Sequence, residues 1–110
     1  GVHLTARDLM STTARSELPA ACRWVGASVH TRAELEHAAR IGCDFAVVGP
    51  VLPTPSHPHA TTLGWEGFAE LIQSTTVPVY ALGGMKAADL QLAQSVGAHG
   101  VALLSAAWLT

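Results

Sequence analysis

The stretch over residues 45–62 constrains the fold of this chain more than any other. It opens with an uninterrupted apolar run from Phe45 to Val48, without the alternation of polar residues that marks a half-exposed strand. A strand of this kind has both faces buried, as in a parallel sheet that helices cover. The run ends at Gly49-Pro50, and the loop that follows is stiffened by further prolines, because proline fixes φ. Polar residues on such a loop indicate a small-ligand site, and a solvated surface loop is the alternative.

Four further apolar runs predict strands, and helical patterns lie between the strands. The strands are predicted over residues 2–5, 24–29, 45–49, 77–82 and 101–105. Thr31 and Glu34 have the spacing of a capping box, and Leu35, Ala38 and Ala39 follow as an apolar stripe. Further helices are predicted over 65–74 and 86–96, and a less regular one over 8–18.

Alternating strands and helices with short turns predict parallel strands and right-handed crossovers. Two architectures fit this α/β pattern: an open, doubly wound sheet of five strands, or five consecutive units of a (β/α)8 barrel. A barrel closes with eight strands, so the second reading requires three strands from elsewhere. The sequence starts at Gly1, inside a strand pattern. We therefore expect one domain over 1–110 that is a fragment of a longer chain.

Composition excludes several classes of partner. The net charge of −2 leaves no basic surface for nucleic acid or for an anionic membrane. No apolar run approaches the roughly 20 residues that span a bilayer, and no signal peptide is recognisable. Cys22 and Cys43 lack metal-type spacing, and we interpret them as buried thiols of a cytoplasmic protein.

Two neighbouring strands are predicted to end in groups that bind phosphate. Gly83 and Gly84 follow the fourth strand and precede a helical pattern, and the last strand ends at Leu104 and Ser105 before further helical residues. Glycine lets an anion approach the backbone, and a helix start offers unpaired N–H groups. Paired strand ends of this type form the phosphate site of many barrels. Tight packing is the alternative explanation of the two glycines.

Other polar residues are candidates with equally simple alternatives. Asp8 follows the first strand, where a carboxylate can hold Mg²⁺ together with substrate oxygens, or serve only the helix dipole. Ser28 lies near the end of the second strand and is either a site residue or a core serine. His57 and His59 are too close in sequence to predict a zinc site. The remaining histidines are interpreted as structural or solvated: His3, His30, His37 and His99.

With these residues laid out, the chain resembles the C-terminal part of the thiamine-phosphate synthase/TenI family. The resemblance covers nearly the whole chain and implies an incomplete TIM (β/α)8 barrel with strands four to eight. It rests on GVHL from Gly1, GASVHT from Gly26, GPVLPTPS from Gly49, LGW from Leu63, ALGGM from Ala81 and GVALLS from Gly100.

The resemblance also implies roles for single residues. The family's synthases join a hydroxymethylpyrimidine diphosphate to a thiazole phosphate and release pyrophosphate with Mg²⁺. Asp8 then corresponds to the metal aspartate and Ser28 to a serine of the pyrimidine pocket. The remaining positions hold the phosphates: Thr54 and Ser56 in the loop after strand three of this chain, and Gly84, Leu104 and Ser105 at the strand ends.

Three departures from the family pattern limit what the resemblance implies. His57 stands where the synthases have a lysine, and a neutral imidazole gives a departing diphosphate less electrostatic help. Because His57 takes that place, we count it with Ser28 among the candidate catalytic residues. Pro50 stands where the TenI tautomerases have a catalytic histidine, which disfavours that activity. The residues that hold the pyrimidine diphosphate belong to strands two and three, outside this sequence.

The sequence therefore predicts a thiamine-phosphate-synthase-like domain that binds a phosphorylated thiazole or thiamine-type ligand. The alternative is a non-catalytic, TenI-like binding or regulatory domain beside a MutT-type Nudix hydrolase, since the loop after residue 53 and the LGW segment resemble that subgroup. A purely structural, degenerate barrel is the third possibility. Five strands leave two open edges, so we expect a homo-oligomer or pairing with the missing barrel half.

Overall fold

The fold is an α/β sheet whose strands follow one another in sequence order. The computed structural model describes residues 2–18, 24–53, 61–103 and 108–109. Within them the strands are β1 (Val2–Leu4), β2 (Val25–Val29), β3 (Phe45–Val48), β4 (Val79–Ala81), β5 (Gly100–Ala102) and β6 (Trp108–Leu109). The helices are α1 (Ala6–Ser11), α2 (Arg32–Arg40), α3 (Gly64–Ile72) and α4 (Leu90–Ser95), and short 3-10 turns cover Arg15–Glu17 and Ala87–Asp89.

The strand order decides between the two predicted architectures. The order is β1-β2-β3-β4-β5-β6, and each of the first four strands pairs in parallel with its successor. A doubly wound sheet reverses its strand order at a switch point, and this sheet does not. The sequential winding is that of consecutive units of a (β/α)8 barrel, so the predicted incomplete barrel with parallel strands and helical crossovers is confirmed.

The end of the sheet differs from the prediction. Helical residues were expected after the fifth strand, but Trp108 and Leu109 form a strand that pairs antiparallel with β5, with Ala102 opposite Trp108. Residues 104–107 lie outside the described part of the chain. Two open sheet edges were predicted, but β6 occupies the edge of β5 that was expected to be unpaired.

One face of the sheet forms the core with the helices. Alternate strand residues such as Val25, Ala27 and Val29 are at most 1% exposed. They pack in one cluster with Leu9, Leu35 and Phe68 of the covering helices. Within α2, Leu35 and Ala38 are buried as predicted, whereas Ala39 is exposed and Ile41, just past the helix, takes its expected place.

Local hydrogen bonds set the helix boundaries. Glu34 N–H donates to Thr31 Oγ1 at 3.2 Å, as the capping box predicts, but Glu34 Oε1 accepts from the His30 N–H rather than that of Thr31. The helix predicted over 8–18 is wrong in its bounds: it begins at Ala6 and ends at Ser11. The reason is Thr5, assigned to the first strand by pattern, whose hydroxyl instead accepts the Asp8 N–H and caps the helix.

No helix in the part of the chain that the structure describes is both long enough and apolar enough to cross a membrane.

Cys43 is buried where β3 begins, and its burial predicts an alkaline sensitivity. Desolvation raises the pKa of the Cys43 thiol above its ordinary value of 9.0; Arg15 opposes this rise and Asp44 adds to it. The folded state therefore keeps a proton that the unfolded state loses, so this contribution to stability is complete below pH 9.0 and falls as pH rises above it.

We expect the difference in unfolding free energy between wild type and Cys43→Ala to shrink from pH 8 to pH 10.5 in urea titrations. The substitution leaves every other side chain unchanged, so the difference isolates the thiol. A difference that stays constant with pH would show that the thiol is not desolvated.

Candidate functional site

The candidate site lies at the edge of the sheet where the parallel strands end. Asp8 follows β1, Ser28 is the fourth residue of β2, and Gly83 and Gly84 follow β4. Because β1 to β4 are parallel and adjacent, these residues share one edge. Five predicted residues lie outside the described part of the chain: Thr54, Ser56, His57, Leu104 and Ser105.

The loop after β3 is fastened to the residues after β4. Leu82 N–H donates to Val48 O at 3.0 Å, Val51 N–H donates to Leu82 O at 2.8 Å, and Leu52 N–H donates to Gly83 O at 3.0 Å. These bonds continue the ladder between the two strands past the end of each. The start of the predicted phosphate loop is thus fixed relative to the glycine pair.

The far end of the same loop returns to its start. Leu63 N–H donates to Pro50 O at 2.9 Å, and Gly64 N–H donates to Val51 O at 2.8 Å. Both ends of the loop are therefore held against the ends of β3 and β4. This anchoring is what a ligand-binding loop requires if its polar residues are to be presented with little loss of entropy.

The two glycines after β4 meet both explanations given for them. They have φ values of +102° and +69°, and a Cβ on Gly83 would lie 2.7 Å from Pro50 Cα, while one on Gly84 would lie 2.9 Å from Pro53 O. Packing against the β3 loop thus accounts for the missing side chains. Over residues 2–18, 24–53, 61–103 and 108–109, however, neither N–H of the pair meets an acceptor. Donors left without a partner are what a bound oxyanion needs.

The helix expected directly after the glycines begins later than predicted. A 3-10 turn starts at Ala87 and α4 only at Leu90. The Lys86 N–H at its start is already taken by Asp89 Oδ2, at 2.9 Å. The phosphate prediction at this strand end therefore depends on the glycine amides and not on a helix dipole.

A cation that the sequence reasoning missed stands beside the pair. Lys86 is the only lysine of the chain, it is exposed, and it lies two residues after Gly84. A count of cations along the predicted edge would have found it. Its side chain adds one positive charge close in sequence to this strand end.

Ser28 has a side-chain partner on the face of the sheet that the helices do not cover. Its Oγ lies 2.7 Å from His3 Nε2, and Ser28 is half-buried while His3 is exposed. Ser28 thus lies outside the core that the helices cover, and His3, interpreted as structural or solvated, is its neighbour across the strand pair. The parallel register places His3 opposite Gly26, one side-chain repeat before Ser28.

An aromatic layer crosses the same face nearer the strand beginnings. The ring centroids of His3 and Phe45 are 6.2 Å apart, those of Phe45 and Tyr80 are 6.1 Å apart, and those of Tyr80 and His99 are 5.4 Å apart. The last two pairs meet edge to face, a favourable geometry for aromatic rings. These ring contacts pack this face of the sheet on the side of Ser28 toward the strand beginnings.

Asp8 is placed to offer a single carboxylate. It lies in the first turn of α1 and is exposed, and its backbone is bound by Thr5 and Thr12. No cluster of three or more His, Cys, Asp or Glu side chains that could hold a metal exists among the residues that the structure describes. A lone carboxylate suits Mg²⁺, which keeps several waters and takes other oxygens from substrate phosphates.

Sequential parallel strands joined by helical crossovers define a segment of a (β/α)8 barrel. The chain belongs to the thiamine monophosphate synthase (TMP-TENI) family, which matches residues 1–107.

Individual relatives agree with this assignment. A Geobacter sulfurreducens relative whose name assigns it to the thiamine-phosphate synthases is 40% identical over 107 residues, covering 96% of this chain and 50% of its own length. The thiamine-phosphate synthase of Syntrophomonas wolfei is 35% identical over 107 residues, covering 96% of this chain and 51% of its own. The solved thiamine phosphate pyrophosphorylase from Pyrococcus furiosus superposes with a TM-score of 0.69 at 27% identity, over 94% of this chain and 48% of the other. The chain thus spans about half the length of these relatives.

Proposed function

We propose that this chain forms the thiazole-phosphate half of a thiamine-phosphate synthase. The reaction joins the two ring systems: a bond forms to the methylene carbon of the pyrimidine as its carbon–oxygen bond to the diphosphate breaks, and pyrophosphate leaves. The observation that supports this best is the glycine pair, Gly83 and Gly84, whose amides meet no acceptor among the described residues and lie beside a loop fastened to the same strand end. Amides in this position suit the phosphate of the thiazole.

The leaving pyrophosphate requires positive charge, and this chain offers two groups besides the amides. His57 stands at the family's lysine position, and Lys86 is the exposed cation two residues after Gly84. Mg²⁺, when bound, would offset charge on the diphosphate oxygens, and Asp8 would hold it together with those oxygens. Asp8 and Gly84 follow strands that are three positions apart in the sheet, which corresponds to about 14 Å at the usual strand spacing.

Most of the pyrimidine half of the site is proposed to come from barrel strands outside this sequence, with Ser28 as the contribution of this chain. Among the described residues, no strand pairs with the outer edge of β1. A further parallel strand added there would extend the sheet in the direction in which a barrel closes. We therefore expect the outer edge of β1 to pair either with a strand of the missing barrel half or with a second copy of the chain.

The second candidate is a domain that binds a phosphorylated thiamine precursor without turnover, beside a Nudix hydrolase. The substitution of His57 for lysine favours it, because less charge is available for the departing diphosphate.

One experiment separates the two candidates. The full-length protein that contains this sequence is incubated with hydroxymethylpyrimidine diphosphate, thiazole phosphate and Mg²⁺, and thiamine phosphate is quantified by chromatography. Calorimetry measures the binding of thiazole phosphate, with the dephosphorylated thiazole as control. Product formation supports the synthase; binding without product supports the regulatory domain. Absence of both would reject the proposed ligand class.

A further inference from the structure

Ser28 and His3 form a side-chain hydrogen bond whose direction depends on the tautomer of His3. His3 Nε2 and Ser28 Oγ are 2.7 Å apart, which is a short, well-formed hydrogen bond. The two residues lie on strands that pair in parallel, and their side chains emerge on the same uncovered face. The backbone thus fixes both ends of this contact.

The direction of the bond follows from hydrogen-bond inventory. A serine hydroxyl has one proton and two lone pairs, and a neutral imidazole has one N–H and one acceptor nitrogen. Among the described residues, Ser28 Oγ meets no acceptor other than His3 Nε2. If His3 donated, the serine proton would meet no acceptor among the described residues and would have to go to water or to the ligand. The bond satisfies both groups when Ser28 O–H donates and His3 carries its proton on Nδ1.

We propose that His3 is a positioning residue that makes Ser28 a hydrogen-bond acceptor toward the ligand. With its proton committed to His3, Ser28 presents only lone pairs to the site. The ligand group at this position must then be a donor, such as an amino group on a heteroaromatic ring. A ring with an oxo group at the same position would place two acceptors against each other. This inference rests on the proposed function, because it assigns Ser28 to the pyrimidine pocket.

A double-mutant cycle in the full-length protein tests the proposal. The probes are the aminopyrimidine diphosphate and its analogue with oxo in place of amino, with affinity measured by calorimetry. His3→Phe retains a ring against Phe45 but has no acceptor nitrogen, and it should weaken binding of the amino ligand about tenfold while leaving the oxo analogue unchanged or tighter. His3→Gln, whose carbonyl can still accept, should restore most of the affinity.

The cycle also shows whether His3 acts through Ser28. In a Ser28→Ala background, His3→Phe should have no further effect, because the group it positions is gone. His99→Phe, at the far end of the aromatic layer, is the matched control and should leave both affinities unchanged. An equal loss for both ligands, or a full loss in the Ser28→Ala background, would overturn the proposal.

A second measurement keeps this inference separate from the proposed function. The ¹⁵N shifts of the His3 ring should report the Nδ1–H tautomer with Nε2 as acceptor, and Ser28→Ala should shift the Nε2 signal. If neither pyrimidine binds but the ring has this signature, the proposed function fails and the positioning contact stands. An Nε2–H tautomer would overturn the inference whatever the binding result.

Discussion

Replacing Gly49 by alanine is expected to lower the free energy of unfolding by about 3 kcal/mol or more. A Cβ at this position would lie 2.2 Å from Leu82 O and 2.9 Å from Leu82 C, which is backbone and not the end of a flexible side chain. The same carbonyl accepts from Val51 N–H, so the collision can be relieved only by parting the ends of β3 and β4. Urea unfolding followed by circular dichroism measures the loss.

Gly67→Ala is the matched control for this prediction. Gly67 lies within α3, and a Cβ there would be 3.6 Å from Leu63 Cβ, which is an ordinary contact. Alanine is the better helix former, so the same substitution should stabilise the protein by up to about 1 kcal/mol. A surface substitution usually changes the free energy of unfolding by less than about 0.5 kcal/mol. If the free energy of unfolding of Gly49→Ala differed from that of wild type by no more than this, the two strand ends could not be as close as described.

The elements of this fold follow from sequence, because each depends on residues close together along the chain. The apolar run ending at Val48 is a buried strand, and Phe68, Leu71 and Ile72 form the buried stripe of α3 as predicted. Errors arose where a single side chain overrides the pattern. The fourth strand was predicted from Val77, but the Val77 N–H donates to Thr75 Oγ1 and the following proline has no N–H, so β4 begins at Val79.

The arrangement of the strands and much of the site could not be obtained in this way. The strand order depends on which strand pairs with which, and both candidate architectures satisfied the local pattern. The contact of His3 with Ser28 depends on the register of residues 25 positions apart, which no local period encodes. A two-residue strand such as β6 is shorter than the runs from which strands are recognised.

The glycine pair shows the same limit at the level of single atoms. From sequence, packing and phosphate binding were competing explanations of Gly83 and Gly84. In the structure the two explanations concern different atoms of the glycines. The absent Cβ atoms make room for the β3 loop, and the N–H groups face no acceptor among the described residues. A sequence motif cannot separate these two explanations. A substitution can, if its effect on affinity is measured with both the phosphorylated and the dephosphorylated ligand.

Gly84→Ala is accordingly expected to weaken thiazole phosphate binding by about 10- to 100-fold while leaving the affinity for dephosphorylated thiazole nearly unchanged. The added Cβ would lie 2.9 Å from Leu52 Cβ and from Pro53 O, at a φ of +69° that alanine disfavours. The peptide must rotate, and its N–H leaves the position that the phosphate requires. A hydrogen bond to a charged group is worth about 1.5–3 kcal/mol, which corresponds to this change in affinity.

Gly42→Ala separates the loss of the amide from a general loss of stability. Gly42 has a similar φ of +79°, nothing lies within 4 Å of its missing Cβ, and it precedes β3 at the opposite end of the sheet. Its substitution imposes the backbone cost of about 1–2 kcal/mol on folding, without moving the candidate site. Equal affinity for thiazole phosphate in Gly84→Ala and Gly42→Ala would mean that packing alone explains the glycine pair. A loss confined to Gly84→Ala and to the phosphorylated ligand would instead assign the phosphate to these amides, since nothing else distinguishes the two ligands.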